Sequence, residues 1–134
     1  MSKSFIIVDD SLEDRFFVRR CLSGLEDDVD IREFTYCEHA LDYFRDAPDG
    51  SEYIVLVDIN IPRMNGFDFI ERCAVEFGGK KRIALTFVVI SHSIDPSDKT
   101  RAEQNDNVAA FLSKPVSKET LGLCLDQIQG AVSA

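Results

Sequence analysis

Short, uninterrupted apolar runs alternate along this chain with stretches whose apolar residues recur at helical spacing, and the alternation repeats five times. Phe5–Val8 is the first run. It is followed by Ser11–Leu25, where Phe17, Val18, Cys21, Leu22 and Leu25 fall on one helix face. Ser11 suits the N-cap of that helix, and Glu13 and Asp14 suit its first turn. Val29–Tyr36 reads as a more polar strand at a sheet edge, and Cys37–Phe44 as a second helix broken by Pro48-Asp49-Gly50. Tyr53–Val57 is the central strand. A third helix follows Gly66 through Phe67, Ile70, Cys73, Ala74 and Phe77 and stops at Gly78-Gly79. Thr86–Ile90 and Ala109–Leu112 are the last two strands, and a helix from Lys118 to about Gln129 presents Leu121, Cys124, Leu125 and Ile128. Between those strands, Pro96–Asn107 offers little beyond Ala102 for burial. Pro96 and Asp98 suit a helix start, but such a helix is weakly held.

Strands alternating with helices predict an α/β fold, a parallel sheet covered on both faces with right-handed crossovers. Ligands of such sheets bind at the carboxyl ends of the strands, where strand order reverses. Asp9-Asp10, Asp58, Ser91 and Lys114 all fall at that edge. Asp58 ends an unbroken apolar run, a costly place for a charge unless something neutralises or uses it. Clustered carboxylates repel one another and call for a hard cation. Mg²⁺ fits oxygen donors, which nominates Asp10 and Asp58 as its ligands, with Asp9 direct or through water and the Asn60 carbonyl as another oxygen. Asp58 is then the candidate nucleophile for phosphoryl transfer, with Lys114 and the Ser91 hydroxyl meeting the phosphoryl oxygens.

This ordered set resembles the receiver domain of two-component response regulators. The matching residues are Asp9-Asp10, Asp58 with Asn60, Pro62 and Gly66 after it, Ser91 after Val88-Val89-Ile90, Phe111, and Lys114-Pro115. The resemblance implies a flavodoxin-like (βα)5 domain with strand order 2-1-3-4-5, spanning residues 1–134 with no output domain. It implies Mg²⁺-dependent phosphorylation of Asp58 by a sensor histidine kinase or histidine phosphotransfer protein. It further implies a switch through Ser91 and Phe111 that remodels the face made by the fourth helix, fifth strand and fifth helix. That face would bind a downstream protein or pair two copies, or the phosphoryl group would pass onward. Such a module catalyses only its own phosphorylation and dephosphorylation. His92 departs from the pattern, since most receivers carry a small residue there. With Asn60 and Ser93 it is expected to tune access and phosphoryl lifetime.

Composition narrows the alternatives. A net charge of -9 argues against nucleic acid or an anionic membrane as partner. The four cysteines lack metal or redox spacing, and Cys21, Cys73 and Cys124 fall in phase with helix apolar faces, as buried thiols of a reducing, cytoplasmic compartment do. No apolar run approaches membrane-spanning length. Taken singly, Asp58 is a strand-end turn former, Asp9-Asp10 a helix-dipole partner, Ser91 an inert hydroxyl, Lys114 a loop lysine, His92 a surface residue and Phe111 core packing; only together do they make a site. Met64 and Asn65 shape the loop, and His39 has no role. Two other functions compete. One is an aspartyl-phosphate phosphatase or phosphotransferase, which would carry a second acid where Asn60 stands; the other is a receiver that signals by binding alone.

Overall fold

The computed structural model describes residues 3–25, 28–78 and 83–133, in which strands and helices alternate strictly. They are β1 (Lys3–Val8), α1 (Leu12–Leu25), β2 (Val29–Phe34), α2 (Cys37–Arg45), β3 (Glu52–Val57), α3 (Gly66–Phe77), β4 (Ala84–Ser91), α4 (Pro96–Glu103), β5 (Val108–Ser113) and α5 (Lys118–Ser133). The strands pair in parallel in the order β2-β1-β3-β4-β5, with one register irregularity between Phe87 and Val88. This is the flavodoxin-like topology, and the more polar β2 lies at an edge as its composition predicts.

The central strands are apolar without interruption because both of their faces are covered. Ile6, Val8, Val55, Val57, Phe87 and Val89 point into one cluster, shared with residues of α2, α3 and Ala102 of α4. Phe5, Ile7, Leu56, Val88 and Ile90 point into the other, shared with α1 and α5. The two-residue period of each strand thus divides one hydrophobic run between two cores.

Helix faces follow the predicted spacing with shifts at their margins. On α1 the buried stripe is Val18, Cys21 and Leu22, whereas Phe17, expected inside, is 45% exposed at the edge of the stripe. On α3 the stripe leans toward Phe69, which is fully buried and replaces the expected Ala74. Ser11 caps α1 by accepting a 3.2 Å hydrogen bond from the Asp14 N–H. Pro96 opens α4 and Asp98 lies in its first turn, as expected; the cap is Asp95, accepting from the Ser97 N–H at 2.9 Å, and Ala102 is the buried residue of that helix. Strand β2 stops at Phe34, short of Tyr36, which instead precedes α2. Gly78 caps α3, while Gly79 lies outside the described residues. All four cysteines are free and buried, including Cys37, which the helical spacing did not single out.

Phe44 holds the larger core together. Its ring lies 5.4 Å from Tyr53, 6.3 Å from Phe69 and 6.1 Å from Phe77, centroid to centroid, and it is fully buried. Phe44→Ala is therefore expected to destabilise the fold by about 3–5 kcal/mol, read as a lower urea midpoint with unchanged slope.

Candidate functional site

Strand order reverses between β1 and β3, and the chain leaves those two strands as Asp9 and Asp58. Backbone hydrogen bonds extend the ladder past the strand ends. The Asp9 N–H donates to Phe34 O at 3.0 Å, the Asp58 N–H to Val8 O at 3.0 Å, and the Lys114 N–H to Ser91 O at 2.8 Å. Asp9, Asp58 and Lys114 are therefore launched from sheet-fixed backbone, although each stands just past a strand end. The Lys114-Pro115 peptide bond is cis.

Lys114 Nζ donates to three carboxylates: Asp9 Oδ2 at 2.5 Å, Asp58 Oδ2 at 2.8 Å and Asp14 Oδ2 at 2.9 Å. An ammonium has three N–H donors, so this set satisfies it completely. The Lys114, Asp9 and Asp58 side chains are 4%, 7% and 9% exposed, which leaves water little part in the cluster. The remaining oxygens are bound as well: Asp9 Oδ1 accepts from the Ser11 N–H at 2.9 Å, and Asp58 Oδ1 from the Asn60 N–H at 2.8 Å.

These surroundings set the protonation of the cluster. Burial opposes the charge on Lys114, but its hydrogen bonds to Asp58, Asp9 and Asp14 more than offset this, and its pKa is raised. For Asp9 burial prevails over the Lys114 and Ser11 hydrogen bonds, so its carboxyl is pushed up from the ordinary range. Asp14 also feels burial first, but it is less enclosed. There the hydrogen bond and charge of Lys114, with His92 beyond, hold its pKa down.

The β3–α3 loop is built to keep Asp58 in place. Asn65 caps α3, accepting from the Asp68 N–H at 3.0 Å, and the Gly66 N–H donates to Ile59 O at 3.1 Å. A Cβ on Gly66 would stand 2.7 Å from Asp58 O and from Ile59 Cα, so only glycine permits this approach. Arg63, at φ 77°, is anchored from α2 by Glu38 Oε2 at 2.7 Å and lies over the Tyr36 ring at 4.4 Å. The other Glu38 oxygen, Oε1, is buried without a partner.

Sequence reasoning nominated nine residues, and their placement differs. Asp9, Asp58 and Lys114 form the buried centre, and Asp10 is exposed beside it. Carboxylate oxygens of Asp9, Asp10 and Asp58 all lie within 4.8 Å of one another, a hard all-oxygen set that suits Mg²⁺. Asn60 is exposed on the loop, bonded to Asp58 through its N–H. Ser91 is fully buried, and its Oγ accepts from the Ser93 N–H at 3.0 Å; the Ser93 Oγ in turn donates to Asp98 Oδ2 at 2.5 Å. Phe111 is half-buried on β5 opposite Val89 and packs against the larger core. The His92 side chain is 64% exposed, with Nε2 3.5 Å from Asp14 Oδ2.

Asp14 is the site residue that sequence reasoning missed, having been read as a helix-dipole acid. The available signal was its position: α1 starts just after Asp9-Asp10, so its first turn overhangs the strand end. A further anchor also went unseen, the Arg15 guanidinium, which donates to Asp9 O at 2.6 Å and pairs with Glu33 at 3.2 Å.

A doubly wound parallel sheet with an acidic, lysine-bearing pocket at its switch point narrows the class to few folds. The family model for the response regulator receiver domain matches residues 5–126, and the chain belongs to this family. A response regulator receiver protein from Dyadobacter fermentans is 33% identical, with a TM-score of 0.70 over 95% of this chain and 97% of that one. A two-component response regulator from Cytophaga hutchinsonii has a TM-score of 0.80 at 24% identity, covering 96% of this chain and 97% of the other. The chemotaxis response regulator CheY4 of Vibrio cholerae has a TM-score of 0.70 at 22% identity, covering 96% and 98%. A sensor histidine kinase, CheAY, of Helicobacter pylori is 26% identical over 116 residues, 87% of this chain but 14% of that protein's length. Receiver domains are signalling modules that receive phosphate from histidine kinases, and aspartate phosphorylation and Mg²⁺ binding are typical of them. Among the described residues, no helix is long and apolar enough to cross a membrane.

The raised pKa of Asp9 has a consequence for stability. The folded chain binds that proton more tightly than the unfolded chain, so ionising Asp9 costs stability, fully above its folded pKa and not at all below the ordinary 3.8. Asp9→Asn should therefore raise the melting temperature at pH 7, a gain that disappears in scans below pH 3.8.

Proposed function

We propose that this chain is a phospho-acceptor receiver in which Asp58 takes a phosphoryl group from a phosphohistidine donor. The observation that carries the reading is the Lys114 ammonium held between Asp58 and Asp9 at the one sheet edge where the topology opens a crevice. An Asp58 carboxylate oxygen attacks phosphorus, the N–P bond of the donor breaks, and its electron pair leaves with the imidazole nitrogen. The Asn60 N–H holds the other oxygen and orients the attack. Lys114 then turns a donor to the phosphoryl oxygens, and the Ser91 hydroxyl, fixed at the end of β4, supplies a second. Asp9, Asp10 and Asp58, joined by the Asn60 carbonyl, would hold Mg²⁺, which when bound neutralises charge on the transferring group.

Output follows from movement at Ser91 and Phe111, which border α4 and β5 and would change the α4–β5–α5 face offered to a partner protein. Leu12 and Phe16, 69% and 58% exposed one turn apart on α1 beside the pocket, give a phosphodonor protein an apolar foothold. His92, 64% exposed with Nε2 3.5 Å from Asp14 of α1, would restrict the approach of water to the phosphoryl group.

The test is intact-protein mass after incubation with Mg²⁺ and either a small phosphodonor or phosphorylated histidine kinases. One phosphoryl group is expected on the wild type and none on Asp58→Asn or with chelator. No adduct from either donor would replace this reading with a receiver that signals by binding alone. In the same assay His92→Ala should shorten phosphoryl lifetime several-fold, and an unchanged lifetime would make His92 a bystander.

A further inference from the structure

Three carboxylates use all three donors of Lys114, and two of them, Asp9 and Asp58, belong to the set that fits a divalent cation. On the phospho-acceptor reading, a cation and an ammonium must then share those two acids, and like charges a few ångströms apart repel. The third acid, Asp14, is placed differently. It comes from the first turn of α1 and not from a strand end, it is outside the 4.8 Å carboxylate set, and its side chain is 32% exposed against 7% for Asp9. Among the described residues its carboxylate meets Lys114 at 2.9 Å and His92 at 3.5 Å, and its N–H reaches the Ser11 hydroxyl.

We propose that Asp14 is a positioning residue of the site, the carboxylate that keeps Lys114 in the pocket while Asp9 and Asp58 engage Mg²⁺. With Asp14 present, Lys114 retains an anionic partner as it withdraws from the other two, so ammonium and cation occupy the site together. Without it, Lys114 is left wholly to Asp9 and Asp58 and competes with the cation for both. Asp14 then acts on metal affinity through Lys114, not as a ligand. This explains why a receiver already supplied with two strand-end acids carries another charge within hydrogen-bond reach of its lysine. The depressed pKa of Asp14 agrees, since it stays ionised when the pocket is charged.

A double-mutant cycle on the full chain separates this role from plain electrostatics. Mg²⁺ dissociation constants are measured by calorimetry for wild type, Asp14→Asn, Lys114→Met and the double variant, with Glu13→Gln as an exposed neighbour that removes the same charge. Asp14→Asn is expected to weaken Mg²⁺ binding about tenfold, within the range for partners in one ion-pair network. Lys114→Met should tighten it, and adding Asp14→Asn to Lys114→Met should change it less than twofold, as should Glu13→Gln alone. An equal loss in both lysine backgrounds would overturn the proposal, making Asp14 a ligand or a simple background charge. An unchanged constant in Asp14→Asn would overturn it as well. Phosphoryl labelling of Asp58 is followed separately: a wild type that shows the cycle but takes no phosphoryl group refutes the phospho-acceptor reading and leaves the role of Asp14 standing. Labelling without the cycle does the reverse.

Discussion

The arrangement of this molecule turns on one ammonium buried among carboxylates. Lys114 is nearly inaccessible, and each of its protons meets an acid from a different element: the end of β1, the first turn of α1 and the end of β3. Removing such a cation would strand buried negative charge, and removing one acid redistributes the load onto the rest. With Asp10 beside them, four acids surround one base, so Lys114 neutralises the pocket only in part. That residual negative charge suits a divalent cation. Asp9, whose carboxyl is pushed up by burial, carries the clearest mark of the strain.

Such a cluster needs a scaffold that fixes residues far apart in sequence to within a hydrogen bond. Lys114 and Asp9 are 105 residues apart, and Lys114 and Asp58 are 56. A parallel sheet does this because every strand ends at the same edge, and here the ladder runs one residue further. Asp9 is tied to Phe34, Asp58 to Val8 and Lys114 to Ser91. The loops beyond are then closed by local devices: the tight approach at Gly66, the Asn65 cap, and the Arg63 anchor to Glu38 and Tyr36. Unfavourable electrostatics at the centre are tolerated because two apolar cores hold the sheet from either face.

Much of this was legible in the sequence for a physical reason. Strands buried on both faces read as continuous apolar runs, so β1, β3 and β4 declared themselves, and an acid closing such a run is conspicuous. The resemblance carried the strand order, which periodicity alone does not give. What escaped depends on three-dimensional neighbours. Asp14 has the same sequence signature as any first-turn helix acid; only the distance to Lys114 distinguishes it. Phe17 and Ala74 sit at stripe margins, where a rotation of a few tens of degrees decides burial and helical spacing cannot resolve it. Arg63 with Glu38, distant in sequence, and Arg15 with the Asp9 carbonyl, six residues back, are contacts made by guanidinium groups that composition treats as solvated.

Hydrogen bonds already present connect the pocket to the surface that would carry a signal. The buried Ser91 hydroxyl accepts from the Ser93 N–H, and the Ser93 hydroxyl donates to Asp98 in the first turn of α4. A movement of Ser91 Oγ toward a phosphoryl group on Asp58 would act on its bond to Ser93, and Ser93 in turn bonds Asp98. The helix at the far end of this chain is poorly anchored. Ala102 is its buried residue, Arg101 reaches across to the Phe67 ring at 4.3 Å, and an open cleft lined by Asn60, Phe67, Asp98 and Arg101 separates it from the β3–α3 loop. On the proposed phospho-acceptor reading, a small displacement at this buried hydroxyl would be delivered to the element with the least apolar surface to resist it. The same economy explains why α4 is the most polar stretch between strands: a helix that packed as firmly as α3 would hold the sheet better and transmit less.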